Sequence, residues 1–184
     1  MPKVTQEHLD SRRAEILDGA RTVFAKYGYE GATVTRLEQE IGLSRGAIFN
    51  YFGSKRDIFV QLSLEENRRY IDLMIEQGFA DALRSMANEN AEWLGMIFEI
   101  QGRLRHDPEF VRQLDEATDD RDRAAEWLRE MQARGEFRQD VDFVDIGRFA
   151  TMLLNGVALR VAGGDPIDVE PIIRLLNDAI APRD

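Results

Sequence analysis

Cysteine is absent from the sequence, and histidine accounts for only two of its 184 residues. Without cysteine there are no disulfides and no thiolate metal sites, which fits a reducing compartment. The chain also lacks a glycine-rich phosphate loop and a metal-ligand spacing such as H-E-x-x-H, so no motif indicates an enzyme. We therefore expect a protein that is not an enzyme, with no catalytic residues, no cofactor and no metal site.

Long apolar runs are missing too. No stretch approaches the roughly 18 residues that a membrane-spanning helix needs. Residues 1–18 are charged and lack the apolar segment of a secretory signal. We therefore expect a cytoplasmic protein with no membrane partner.

Positive charge is scarce overall, but it is unevenly distributed. The formal net charge is −10, yet residues 1–60 hold nine Lys and Arg against eight Asp and Glu. The remainder holds fifteen against twenty-six. This asymmetry indicates two regions with different electrostatic roles. The acidic run Asp119, Asp120 and Asp122 is interrupted by arginines, which favours a solvated helix face over a metal site.

Helical periodicity predominates, and no stretch shows convincing β alternation. Glycine or proline marks most of the breaks between helices. We expect an all-α protein in which residues 1–55 form a three-helix DNA-binding domain with a helix-turn-helix. Residues 56–184 would form a helical bundle for effector binding and dimerisation. The pattern predicts helices over residues 11–26, 33–41, 44–52, 54–77, 81–88, 91–106, 108–134, 143–162 and 169–180.

Two short helices joined by residues 42–44 have the spacing of a helix-turn-helix. On a helical wheel Ile48 and Phe52 share one side of the second helix, and Asn50 lies opposite them. Residues 42–55 include two basic residues and no Asp or Glu, so the overall acidity does not exclude DNA binding. A tight helical hairpin with a solvated polar face is the alternative. Exposed aromatic residues on this face favour DNA binding.

The exposed side of the second helix carries groups that suit a major groove. Asn50 can pair with an adenine edge, and Arg45 can reach a guanine or a phosphate. Gly46 and Ala47 would let the helix backbone approach the bases. Phe49 can add an apolar contact, for instance to a thymine methyl group.

The segments FAKYGYEGATV (residues 24–34) and GLSRGAIFNYFGSK (residues 42–55) closely resemble the N-terminal domain of tetracycline-repressor (TetR) family regulators. The resemblance spans roughly residues 12–62 and implies an all-α homodimer that binds a palindromic double-stranded DNA operator. It also implies a divergent, ligand-binding body. The resemblance implies that Thr33, Tyr51 and Lys55 contact phosphates. It also implies a groove-facing surface formed by Ser44, Arg45, Gly46, Ala47 and Asn50.

Two positions depart from the family pattern. Phe49 stands where tyrosine is usual, which removes a hydroxyl that could bind phosphate. Glu38 stands where alanine is usual, and we expect its side chain to lie in solvent at the edge of the domain. The body is more loosely similar to the aconitase-repressor branch, through Glu99-Ile100, Leu104-Arg105, Asp107-Pro108 and the region of Gly156.

The last two predicted helices are unusually apolar. Residues 143–161 are apolar over most of the helix circumference, and residues 167–180 form a second apolar surface. Such helices must be buried on more than one side. We expect a homodimer through these two helices, arranged as a four-helix bundle. A monomeric core is the alternative.

Polar residues within apolar helices are the candidates for an effector pocket. Asn155 and Arg160 lie in the most apolar helix, where unpaired burial would be costly. Glu99 and Arg103 have the spacing of a surface ion pair, and methionine and aromatic residues are more often plain core. Several arginines favour an anionic carboxylate. The predicted ligand set is Trp93, Met96, Glu99, Arg103, Asn155 and Arg160.

Together these patterns predict a sequence-specific transcriptional regulator. We expect a repressor that a small-molecule effector releases from its operator. The alternatives are a DNA-binding protein without an effector and a helical protein–protein adaptor.

Overall fold

The computed structural model describes residues 6–104, 106–115 and 118–183. Within these ranges the regular structure is α-helical and no β-strand occurs, which confirms the all-α prediction. The helices are α1 (Gln6–Gly31), α2 (Val34–Ile41), α3 (Arg45–Tyr51), α4 (Lys55–Gln77), α5 (Phe79–Ala87), α6 (Ala91–Leu104), α7 (Pro108–Asp115), α8 (Thr118–Ala133), α9 (Phe143–Ala162) and α10 (Glu170–Ile180).

The first three helices share one apolar core. An apolar stripe on α1 is buried, and Leu37 and Ile41 of α2 and Ile48 of α3 are buried with it. Phe52, directly after α3, is buried as well. Spacing of apolar residues at three and four positions places them on one helix face, and that face turns inward here. The core residues of α1 are Ile16, Leu17, Ala20, Val23 and Phe24.

Glycines and capping side chains set the ends of the short helices. Gly42 has φ +74°, a left-handed conformation that favours glycine, and its N–H donates to the Glu38 carbonyl at 2.9 Å. Thr33 and Ser44 cap α2 and α3 through their hydroxyls. Ser54 caps α4 by accepting from the Asp57 N–H at 3.1 Å. Serine and threonine favour these positions because their hydroxyls accept from free N–H groups of the first turn.

The first helix extends further than its pattern predicts. It begins at Gln6 and continues through a kink at Gly28 as far as Gly31. Gly28 has φ 67° and ψ 171°, so the regular helix ends at this glycine and a second short helical segment continues to Gly31. Tyr29 stacks on Phe24 with 5.7 Å between ring centroids and meets Phe59 edge-on at 5.5 Å. These ring contacts hold the residues after the kink against the core.

Helix α9 lies at the centre of the body, packed against α5, α6 and α8. Helix α4 leads from the N-terminal domain into the body and packs against α1, α5, α7 and α8. The expected single helix over residues 108–134 falls partly outside the described residues, which form α7 and α8 on either side of the gap. None of the helices in the described ranges is long and apolar enough to cross a membrane.

Candidate DNA-binding surface

The inner side of α3 is anchored by α1. Ile48 is fully buried, and Arg13 of α1 donates to the Tyr51 carbonyl at 3.3 Å. The Arg13 guanidinium also lies 4.8 Å from the centre of the Phe52 ring. Because these contacts hold the buried side and the carboxyl end of α3, its opposite side is presented in a defined orientation.

The outer side of α3 carries the predicted groove-facing residues. Arg45, Gly46 and Asn50 are exposed, and Ala47 is half-buried. The aromatic residues Phe49 and Tyr51 were expected to be exposed, but both are half-buried because they pack against the core. A Cβ atom at Gly46 would meet nothing within 4 Å, so the fold itself does not require a glycine there. Close approach to an external surface would explain the missing side chain, as the groove-facing prediction supposes.

Thr33 and Lys55 are placed at the starts of α2 and α4. Thr33 is exposed and accepts from the Arg36 N–H at 3.4 Å. Lys55 is half-buried: its ammonium donates to the Tyr29 carbonyl at 2.7 Å and lies 4.3 Å from the centre of that ring. The ammonium group has two more N–H donors, so the internal contact leaves capacity for a phosphate.

A basic patch borders Thr33, and the DNA-contacting residues predicted from the sequence do not include it. The Arg36 guanidinium lies 4.1 Å from the centre of the Tyr27 ring and donates to the Gly31 carbonyl at 2.6 Å. The Lys26 ammonium lies 5.2 Å from the same ring. Lys26 and Arg36 are ten positions apart in the sequence, and the α1–α2 turn brings both against the Tyr27 ring.

Glu38 does not lie free in solvent, so that expectation is wrong. Its side chain is half-buried, and its Oε1 accepts a hydrogen bond from the Arg45 backbone N–H at 2.6 Å. The turn over residues 42–44 folds the start of α3 back beside α2. As a result, an acid from α2 sits at the beginning of the candidate DNA-reading helix.

The members of the predicted ligand set whose side chains the structure describes lie in different surroundings. Trp93 is 1% exposed and packs beneath the Arg21 guanidinium, whose carbon lies 5.0 Å from the ring centre. Met96 and Glu99 line a shallow groove between α1, α6 and the turn after α9. The side chain of Arg103, and Arg105 as a whole, lie outside the described residues.

Asn155 and Arg160 are exposed on α9 in the single chain, so neither is buried in the chain's own core. Arg160 pairs with Asp165 at 3.3 Å in the turn that follows. The reason is that α9 turns one side away from the chain's own core. On that side Met152 is 69% exposed and Leu159 is 61% exposed.

A cavity of about 460 Å³ opens between α4, α7 and α8. Asp120 on its wall is buried and accepts from Arg68 at 3.2 Å and from Arg123 at 3.1 Å. The expectation of a solvated acidic face is therefore wrong at Asp120, although Asp119 and Asp122 are exposed. The lining residues are Asp57, Val60, Gln61, Leu64, Arg68, Gln113, Asp119 and Asp120.

A second ionic cluster joins the N-terminal domain to the body. Arg21 of α1 donates to Glu66 of α4 at 2.9 Å and to Glu89, in the turn after α5, at 2.8 Å. Arg69 bridges the same two carboxylates. Burial alone would raise the pKa of Glu89, but hydrogen bonds from the Asn90 N–H and the two guanidinium groups outweigh it and lower the pKa.

Residues 16–62 match the model of the family described as bacterial regulatory proteins, tetR family. The HTH-type transcriptional repressor Rv1474c of Mycobacterium tuberculosis is 38% identical over 190 residues, covering 98% of this chain and 98% of that protein. The HTH-type transcriptional repressor AcnR of Corynebacterium jeikeium is 41% identical over 166 residues, covering 88% of this chain and 87% of that protein.

Two solved structures share the fold at low sequence identity. Salmonella enterica GusR superposes with a TM-score of 0.72 at 19% identity, covering 97% of this chain and 98% of that chain. FadR from Bacillus subtilis, in complex with stearoyl-CoA, superposes with a TM-score of 0.63 at 20% identity, covering 91% of this chain and 98% of that chain.

Proposed function

The chain belongs to the tetR family of bacterial regulatory proteins, and on that premise we propose how it recognises and releases DNA. It is a DNA-binding transcriptional repressor near the aconitase-repressor branch of the family. We propose that it acts in the cytoplasm, where its target DNA lies. Its relatives are repressors, which implies a regulator rather than an enzyme.

We propose that α3 enters the major groove with Asn50, Arg45 and Gly46 facing the base edges. The observation that carries this proposal is the exposed outer side of α3, opposite the buried Ile48. Thr33, Tyr51 and Lys55 would hold the phosphate backbone, while Ser44, Ala47 and Phe49 would complete the surface. We add Arg36 as a further phosphate contact, because it is exposed beside Thr33.

We propose that two copies pair through α9 and α10 and place two α3 helices on a palindromic operator. The exposed apolar residues of α9 and α10 support this pairing, because a solvated helix rarely exposes such a stripe. Pairing would also explain the binding strength, since one short helix needs a second half-site for useful affinity. These residues are Phe149, Met152, Leu159 and Leu175.

We propose that the effector binds in the cavity between α4, α7 and α8 rather than at the set expected from the sequence. Gln61 and Gln113 supply amide groups, and Arg68 supplies a partly exposed guanidinium that it shares with Asp120. Because Asp57, Asp119 and Asp120 also line the cavity, we expect an effector that offers hydrogen-bond donors to these carboxylates as well as a carboxylate to Arg68. The cavity borders α4, which connects the DNA-binding domain to the body, so a bound effector could shift the DNA-binding domain.

We propose residue 55 as the domain boundary, because α4 begins there.

The experiment that tests this function is selection of bound fragments from random DNA, followed by affinity measurement at several salt concentrations. We expect a palindromic consensus and salt-sensitive binding. Asn50→Ala should reduce discrimination at one base pair by about tenfold to a hundredfold. Tyr51→Ala should weaken binding to all sequences by a similar factor.

Asn67→Ala is the matched control, because Asn67 is an exposed asparagine on α4. It should leave affinity and base choice unchanged. Selection without any consensus would contradict sequence-specific binding. A panel of small carboxylic acids should then be titrated into the complex, and if none changes DNA affinity, the proposed effector class is wrong.

A further inference from the structure

Glu38 holds the first residue of α3 from a neighbouring helix. The Arg45 N–H belongs to the first turn of α3, where backbone donors have no partner within the helix. Glu38 Oε1 accepts from it at 2.6 Å, and the Ser44 hydroxyl accepts from the Ala47 N–H at 3.3 Å. A hydrogen bond to a carboxylate is stronger than a neutral one. The start of α3 is therefore tied to α2 as well as capped locally.

The charge of Glu38 is not neutralised by an ion pair. No salt bridge joins it to Arg45 or to any other cation in the described ranges, and the Arg45 guanidinium lies instead 6.0 Å from the centre of the Phe49 ring. DNA phosphates beside α3 would lie within the screening length of about 8 Å at physiological salt. The carboxylate would therefore repel any DNA backbone that approaches this end of the surface.

We propose that Glu38 is a specificity-determining residue of the DNA-binding surface. Its hydrogen bond orients α3 so that Arg45 and Asn50 face the bases. Its negative charge weakens the contacts that the protein makes with DNA phosphates. Binding to non-cognate DNA depends almost wholly on phosphate electrostatics, whereas operator binding also needs correctly placed base contacts. The hydrogen bond of Glu38 thus supports the operator complex, whereas its charge weakens phosphate contacts on any duplex. This inference rests on the DNA-reading surface proposed above.

Two substitutions separate the charge from the hydrogen bond. Glu38→Gln removes the charge and keeps an acceptor, whereas Glu38→Ala removes both. Glu40→Gln is the control, because Glu40 is an exposed acid on the same helix. Each variant is measured against the selected operator and against a scrambled duplex of equal length, over a range of salt concentrations.

Glu38→Gln should tighten binding to both duplexes by about threefold to tenfold and steepen the salt slope by up to about one. Glu38→Ala should tighten binding to the scrambled duplex similarly but not to the operator. Its operator preference should therefore fall by about tenfold or more. Glu40→Gln should show a clearly smaller change on both duplexes.

A wild-type operator preference in Glu38→Ala would overturn the orienting role. Equal effects of Glu40→Gln and Glu38→Gln would overturn the local role of the charge. If circular dichroism shows that Glu38→Ala is unfolded, Glu38→Gln still tests the proposal. Unchanged binding of Glu38→Gln to the scrambled duplex would contradict it. If the wild-type protein does not distinguish the two duplexes, the DNA-reading surface itself is wrong.

Discussion

At the scale of single residues, Gly19 marks the closest approach of α1 and α2. A Cβ atom at this position would lie 2.7 Å from Cγ1 of Ile41 and 3.5 Å from its Cα. Neither Ile41 nor its backbone can move aside cheaply, because Ile41 belongs to the shared core. Glycine in the middle of α1 is therefore required by packing, despite its low helix propensity.

We expect Gly19→Ala to lower the free energy of unfolding by about 1 to 2 kcal/mol, because overpacking outweighs the gain in helix propensity. Gly95→Ala in α6 is the matched control, since its Cβ would meet only the Ala162 carbonyl oxygen at 3.7 Å. That variant should be more stable by about 0.5 to 1 kcal/mol. Urea unfolding measures both, and stabilisation by Gly19→Ala would contradict this account.

Lys55 and Arg36 offer another contrast at the residue scale, because only the lysine ammonium is half-buried. It donates to a backbone carbonyl of α1 and lies against the Tyr29 ring. We expect Lys55→Met to weaken DNA binding and to lower the free energy of unfolding by about 1 kcal/mol. Arg36→Met should weaken DNA binding with a smaller loss of stability. Equal stability losses in thermal unfolding would argue against an internal role specific to Lys55.

At the scale of helices, the cluster of Arg21, Glu66, Arg69 and Glu89 connects α1 to α4 and to the turn after α5. Glu89 is the most buried of the four side chains, at 9% exposed. The two arginines and the two glutamates neutralise each other, so these charged side chains can be partly buried. The cluster fixes the N-terminal domain relative to the body, and a rearrangement of α4 would have to disturb it.

The lowered pKa of Glu89 predicts how stability depends on pH. A carboxyl group with a lower pKa in the folded state stabilises the protein above its unfolded pKa, and this contribution is lost as pH falls through the folded pKa. Wild-type stability should therefore fall as the pH is lowered below about 5. Glu89→Gln should be less stable near pH 7 by about 1 to 2 kcal/mol, after allowing for the exposure of both arginines.

The difference between wild type and Glu89→Gln should shrink as the pH is lowered. Glu92→Gln serves as the control, because Glu92 is an exposed acid on α6, and its pH profile should follow the wild type. Denaturant unfolding at a series of pH values gives the comparison. A constant difference across the range would mean that Glu89 ionisation does not contribute to stability.

At the scale of the whole molecule, charge and apolar surface are separated. The body carries most of the net negative charge, whereas residues 42–55 contain no acid of their own. The most exposed large apolar side chains, in contrast, lie on α9 and α10, where Leu175 is 68% exposed. Such side chains need a partner surface to leave water. This division suits a protein that pairs through one end and approaches DNA with the other.

We expect Leu159→Glu to prevent the proposed pairing through α9 and α10 and to weaken operator binding by at least about a hundredfold, because the second half-site no longer adds to the first. Val111→Glu is the control, since Val111 is an exposed apolar residue on α7. It should leave the mass in solution and DNA affinity unchanged. Analytical ultracentrifugation and DNA binding together decide, and a dimeric Leu159→Glu would contradict this interface.

Much of the architecture follows from local patterns in the sequence. Spacing of apolar residues predicts the buried stripe of α1, and Ser and Thr before such spacing predict the caps of α2, α3 and α4. The motif over residues 42–55 predicts the family, which the comparisons confirm. The roles of the individual DNA contacts remain predictions. These features could be predicted because each depends on residues a few positions apart.

Other features were decided only by tertiary structure. In the sequence, residues 42–55 form an acid-free segment, yet helix packing brings Glu38 to the start of α3. Packing also places Asn155 and Arg160 on the side of α9 that the chain's own core leaves uncovered. Periodicity specifies which residues share a helix face, but not the direction in which that face points. That direction depends on helix crossings between distant segments, and these decide which charges meet at the DNA-reading surface.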